Sequence, residues 1–307
     1  MRSLAAMIVA NPLQAIAIIA LCTVLSMVSS LTSIFGYAAA AALGLYALHH
    51  GLRPSLVVLA GAAAVTGLLA HLAFHQGPAV VVTSLLLWVP VWLAAVVLRG
   101  TGSLAMALLV LTVLAMLAVL GVYLFFGEPT PWWLERLKPL AELMSSQPGL
   151  GIDKSAATDF IEAAAPLMTG AMAAALNLAA ASCVLLGRWW QSMLIKPGAL
   201  KQEFHALRLT RSLSLLGIAI GALVPLKFGI VSSLALQWSL IVMVPFLFVG
   251  LAVLHASLAN LQAAKGWLIG AYILMGLIPQ FLLVMILVGA LDPWLGIRQR
   301  TAKVGTS

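Results

Sequence analysis

Nine apolar runs divide the sequence, at 12–31, 33–49, 55–74, 79–98, 103–126, 161–187, 211–227, 229–256 and 267–290. A helix that spans a bilayer needs about 20 mostly apolar residues. Backbone in hydrocarbon must satisfy its own hydrogen bonds, which leaves helices or closed barrels. The alternation of a barrel strand is absent from these runs. The expected fold class is therefore all-α: a polytopic transmembrane helical bundle of 8–9 hydrophobic segments. Composition agrees: 63% of the 307 residues are hydrophobic, 8% are charged, and mean hydropathy is +1.13. Soluble domains carry about 25% charged residues, so a soluble enzyme, a disordered chain and a nucleic-acid-binding domain are all excluded. Cys22 and Cys183 lie inside apolar runs and read as small hydrophobes. The N-terminal run shows no small-residue cleavage site before a polar region, so no cleaved signal peptide is expected.

The net charge of +8 is unevenly distributed. Arg2, Arg53 and Arg99 fall at alternate breaks, and Arg188, Lys196, Lys201, Arg208 and Arg211 follow the sixth run. The positive-inside rule puts these on the cytoplasmic side, with the N-terminus. Glu128, Glu135, Glu142, Asp153, Asp159 and Glu162 are six of the eight acids and belong to the loop after the fifth run, which is then external. Nine crossings would put Arg298, Arg300 and Lys303 outside. Eight would put them inside, with 211–227 re-entrant or tilted around Pro225 and Lys227, and Lys265 outside. Nine hydrophobic segments are expected, and whether each crosses is left open. The implied division is a six-helix core over 1–187 including the external loop 127–160, a cytoplasmic amphipathic elbow over 188–210, C-terminal helices over 211–291, and a basic flexible tail over 292–307.

Two polar segments have structure of their own. In the external loop, Thr130 as N-cap and Pro131 start a helix, and Leu134, Leu137, Ala141 and Met144 recur at helical spacing. Pro139 is expected to kink it, and 147–151 to end it. Trp132 and Trp133 fit an interfacial aromatic belt or a lid over an outward pocket. Asp159 and Glu162 form an approximate capping box for the sixth run. In the elbow, Pro197-Gly198 is a turn, and Leu200, Phe204, Leu207 and Arg211 share a face. This segment is either an interfacial elbow or a docking surface built from Arg188, Trp189, Trp190, Lys201, Phe204, His205 and Arg208.

Catalytic and cofactor motifs are missing. There is no P-loop, no H-E-x-x-H and no paired-Cys motif. His49-His50 are adjacent and diverge on a helix, while His71 and His75 at i, i+4 have no nearby Cys or carboxylate. No Asp or Glu lies mid-run, where ion-coupled carriers place their costly ionisable groups. Neutral polar candidates inside the runs are Gln14, Asn177, Gln237 and Gln280. Neither an enzyme nor a cofactor or metal protein is expected. A pocket for a small apolar or hydrogen-bonding molecule is compatible with this interior.

The elbow residues Arg188-Trp189-Trp190-Gln191, Lys196-Pro197-Gly198 and 203–209 resemble the signature of YybS-like membrane proteins of proteobacteria, a domain of unknown function. Gln14-Ala15-Ile16, the stretch 48–54, the stretch 250–255 and Leu291-Asp292-Pro293-Trp294 extend the likeness over nearly the whole chain. The family is distantly similar to the substrate-binding subunits of energy-coupling-factor transporters, whose cytoplasmic turn Gly51-Leu52-Arg53-Pro54 resembles. The resemblance implies a bacterial inner-membrane protein that binds or helps import a small molecule, with a partner ATPase if transport is energised. A scaffold that docks a partner through 188–211 is the alternative.

Overall fold

The computed structural model describes residues 1–146 and 153–304, and every element among them is helical. In chain order these are α1 (Arg2–Ala10), α2 (Pro12–Ser26), α3 (Ile34–His50), α4 (Leu52–Phe74), α5 (Gly77–Thr101), α6 (Leu104–Phe126), α7 (Thr130–Ser146), α8 (Lys154–Ala164), α9 (Met168–Ile195) and α10 (Ala199–His205). They continue with α11 (Arg211–Leu223), α12 (Ile230–Asn260), α13 (Lys265–Leu277), α14 (Gln280–Leu295) and α15 (Ile297–Val304). Six stretches are long and apolar enough to cross a membrane: Ser30–His50, α4, α5, α6, Lys154–Ile195 and α12. By helix composition the chain is a multi-pass membrane protein.

Four of the nine runs are not single unbroken helices; the sixth is interrupted by a 3-10 turn at Ala165–Leu167 between α8 and α9. The first is set off from α1 at its start and cut short at its end. Asn11 accepts from Leu13 N–H at 2.8 Å and Pro12 follows, starting α2 as a fresh helix, and the Ser29–Thr32 capping box opens a 3-10 turn at Ser30. The 15 residues of α2 reach about 22 Å at 1.5 Å per residue. In the seventh run, α11 tightens into a 3-10 turn at Val224–Leu226, and Lys227 adopts φ +54. The ninth is bent by 119° between Leu277 and Gln280, because Pro279 forces Ile278 into the extended region.

Small residues set how the last helices pack. A Cβ on Gly289 would lie 1.9 Å from Phe246 O and 2.7 Å from Gly250 N, and one on Gly250 would lie 1.9 Å from Met285 O. Backbone therefore meets backbone at this crossing. Gly289 sits beside Gly250, and further along Asn260 Nδ2 donates to Arg298 O at 3.2 Å. So α14 runs parallel to α12 and begins about level with Ile241, in the middle of that helix. The partner α13 starts where α12 ends, with Tyr272 OH 2.9 Å from His255 Nε2. The helix α11 packs back along α12, with Gly217 against Phe246 and Val242, and Ser232 Oγ donates to Leu223 O at 3.2 Å.

The core sits where α3, α9 and α12 adjoin the other helices. Ala39–Leu48 of α3 is buried throughout, and one continuous buried cluster runs from Ala5 to Ala290. Residue 187 is thus no packing boundary, since α12 packs on both α6 and α9. The elbow also begins later than 188. The helix α9 continues to Ile195 and stops where Pro197 pushes Lys196 into extended backbone. The tail expected to be flexible is helical from Ile297 to Val304. It is held by Arg298, which is 5% exposed.

Candidate functional site

One end of the bundle gathers the C-termini of α3, α5, α9, α12 and α14. Helix C-termini leave carbonyls without intrahelical partners, and here cationic and amide side chains from other helices satisfy them. Arg99 Nη1 donates to Leu48 O at 3.0 Å and also to His49 O, and Gln191 Nε2 donates to Leu48 O at 3.0 Å. His50 Nε2 lies 2.8 Å from Val9 O. Arg188 forms a two-pronged pair with Glu203, through Nε at 2.9 Å and through Nη2, and it also donates to Gln191. Arg298 ties the elbow down from the other side. Its Nη1 donates to His205 O at 2.6 Å, and its Nη2 donates to Leu207 O at 2.7 Å and to Asp292 Oδ2 at 2.9 Å. Burial pulls the guanidinium below its ordinary value, while Asp292 acts in the opposite direction. Elbow and tail therefore share one end of the molecule.

The seven docking candidates separate. Lys201 and Arg208 are exposed, and Trp189 is 42% exposed. Arg188, Phe204 and His205 are half-buried, with Arg188 spent on Glu203. Trp190 is buried in the core, because adjacent residues on a helix point about 100° apart and Trp189 takes the outward position. Between the end of α9, the Pro197-Gly198 turn, α10 and α12 lies a cavity of about 330 Å³. His255 enters it from α12, with its ring centroid 6.4 Å from that of His205 and 5.6 Å from that of Phe204. Burial, then the nearby Lys201 and Arg298 charges, lower the His205 imidazole from its ordinary value.

At the opposite end, α7 and α8 pack as a hairpin. The expected apolar face of α7 is present, but Leu134, Leu137, Ala141 and Met144 pack on Ala157 and Ile161 of α8. The helix runs unbroken through Pro139, and the expected stop at 147–151 lies outside the described residues. Its partner α8 starts at Lys154, not near Asp159: Asp153 caps it by accepting from Ala156 N–H at 2.7 Å. That bond and the one from the Ser155 hydroxyl lower the Asp153 carboxyl. Trp133 Nε1 donates to Thr169 Oγ1 at 2.8 Å, and Trp132 stands edge-on to Trp133. Neither Trp lines any of the cavities described for this molecule.

Among the polar candidates inside the runs, Gln14 and Gln280 are exposed, whereas Asn177 and Gln237 are buried. Gln237 has a structural task. An unbroken helix would bond Gly170 N–H to Pro166 O, but the chain is interrupted there by a 3-10 turn. The Gln237 amide bridges the gap: Nε2 donates to Pro166 O at 2.5 Å, and Oε1 accepts from Gly170 N–H. Gly170 is needed for this approach, since a Cβ there would lie 2.5 Å from Gln237 Oε1. Asn177 Nδ2 donates to Thr112 Oγ1 at 3.4 Å, deeper in the bundle.

A second cavity, of about 210 Å³, is one that sequence reading missed. It opens between α2, α3 and α5 at the end opposite the elbow. Hydroxyls of Thr23, Ser26, Ser33, Tyr37, Thr83 and Ser84 line it, together with Trp88. Thr23, Ser26 and Thr83 donate to their own helices' carbonyls at 2.8, 2.6 and 2.9 Å, which leaves oxygen lone pairs free. Trp88 is buried, as is the whole of Ala39–Leu48 on α3. Hydroxyl pairs at i, i+3 (Thr23, Ser26), i, i+4 (Ser33, Tyr37) and i, i+1 (Thr83, Ser84) near the ends of three runs were the available signal.

No protein-family model matches the chain, and neither a curated protein nor a solved structure matches it.

Proposed function

We propose that this chain is a non-catalytic multi-pass protein of a bacterial inner membrane that holds a small, neutral, hydrogen-bonding molecule in the hydroxyl-lined cavity. The observation that carries this reading is the lining: six hydroxyl-bearing residues and no charged one. Neutral acceptors fixed on three helices suit a donor-rich, uncharged solute. In this reading α2 to α6, α9, α11 and α12 make eight crossings, and α13 and α14 enter and leave on one side as a re-entrant pair. The N-terminus, the elbow and the tail are cytoplasmic, and the cavity opens outward. The resemblance read from the sequence would make the role transport-related, with a cytoplasmic ATPase supplying the energy. A second reading, a scaffold that docks a protein on the elbow, is favoured by the Arg298 clip, which fixes that surface in advance of any partner.

Untargeted mass spectrometry of small molecules retained by the purified full chain tests the first reading. Ser84→Phe fills the cavity from a half-buried position. The expected result is a solute retained by the parent and lost about tenfold or more in the variant, equivalent to about 1.4 kcal/mol of binding. Identical small-molecule profiles for parent and variant, with both folded, would contradict it.

A further inference from the structure

The elbow cavity has a chemistry of its own, independent of the hydroxyl-lined pocket. It lies at the opposite end of the bundle, and its walls are apolar: Trp189, Met193, Leu200 and Phe204. Its rim is cationic. Lys201 lines it directly, and Lys196 precedes the Pro197-Gly198 turn that forms one edge. The two acids in this part of the chain, Glu203 and Asp292, are held by Arg188 and Arg298, and these are the ion pairs among the described residues. Lys196, Lys201, Arg208 and Arg211 are all exposed, so the surplus positive charge faces outward without a protein counter-ion. His205 adds a ring nitrogen at the cavity wall.

Charge complementarity calls for an anion, and the walls call for an attached apolar body. Trp189 at 42% and Ile195 at 62% exposure stand beside the opening. An exposed Trp next to a run of apolar helix is characteristic of the headgroup level of a bilayer. Anionic lipids are drawn to cationic segments at the cytoplasmic surface, worth about 1 kcal/mol per Lys or Arg. A space of about 330 Å³ takes a phosphate and part of a glycerol backbone, not a whole lipid, which leaves the acyl chains outside along α9. We infer that the elbow cavity is a headgroup site for one anionic phospholipid, with Lys201 and His205 contacting the phosphate and Trp189 and Phe204 flanking the glycerol.

Native mass spectrometry of the full chain, with added phosphatidylglycerol, phosphatidylcholine or inorganic phosphate, tests this. One phosphatidylglycerol should be retained about tenfold better than phosphatidylcholine. Lys201→Glu should remove that preference without changing the thermal melt, and Lys201→Arg should keep it. Arg300→Glu makes the same charge change at the same end, outside the cavity, and should leave the preference intact. Equal retention of the two lipids would overturn the inference. So would equal losses in Lys201→Glu and Arg300→Glu, which would reduce the effect to overall charge. Displacement of the lipid by inorganic phosphate would reassign the cavity to a free anion and overturn the lipid assignment.

Discussion

Arg298→Met alone should destabilise the folded protein by about 3–5 kcal/mol, the cost of stranding a buried partner charge, and adding Asp292→Leu should recover most of that loss. Arg298 and Asp292 are each 5% exposed in their side chains. Removing the cation leaves a buried carboxylate with no counter-charge. Removing both leaves apolar side chains of similar volume in an apolar setting. Recovery should be incomplete, because His205 O and Leu207 O also lose their donors, at about 1 kcal/mol each. Thermal melts followed by circular dichroism in detergent measure the single and the double variant against the parent. A single variant as stable as the parent would show that the clip does not hold the tail to the elbow. A double variant as unstable as the single one would move the cost to the two carbonyls.

The second large effect is at the crossing of α12 and α14. Gly289→Ala should cost about 3 kcal/mol, the upper part of the range for over-packing. The new methyl would meet Phe246 O at 1.9 Å, and a backbone carbonyl in a helix cannot turn aside as a flexible side chain can. Gly250→Ala should behave alike, against Met285 O. Gly270→Ala in α13 is the control, because nothing lies within 4 Å of its added Cβ. It should be neutral or stabilising by about 0.5–1 kcal/mol, the helix preference of Ala over Gly. Equal melting of Gly289→Ala and Gly270→Ala would contradict the close approach of α12 and α14.

Much of the scaffold could be read from periodicity and charge. The runs at 33–49, 55–74, 79–98, 103–126, 161–187 and 229–256 each lie, to within a residue, inside a stretch suited to crossing a membrane. The apolar stripe of α7 was legible too, though its partner α8 was not, since a stripe states what it avoids and not what it meets. Breaks caused by a single residue were harder. Pro279 and the Ser29–Thr32 cap interrupt runs whose average hydropathy conceals them. The polar contacts that organise the basic end were invisible for a different reason. Arg99 reaches carbonyls some 50 residues back, and Arg298 reaches some 90 back, so local sequence carries no trace of either. Gln237 stood out as a polar residue in an apolar run. Its role depends on Pro166, 71 positions away.

The side on which each end of the bundle lies is the most direct test of the fold and of the placement of both sites. In a Cys22→Ala, Cys183→Ala background, single cysteines at Ala206 in the elbow, Gln299 in the tail and Leu143 in α7 are all at exposed positions. A membrane-impermeant thiol reagent applied to intact spheroplasts should label Leu143→Cys and spare Ala206→Cys and Gln299→Cys. Both of these should react together once the membrane is opened. Labelling of Gln299→Cys from the same side as Leu143→Cys would contradict the re-entrant α13–α14 pair and separate the tail from the elbow that Arg298 joins.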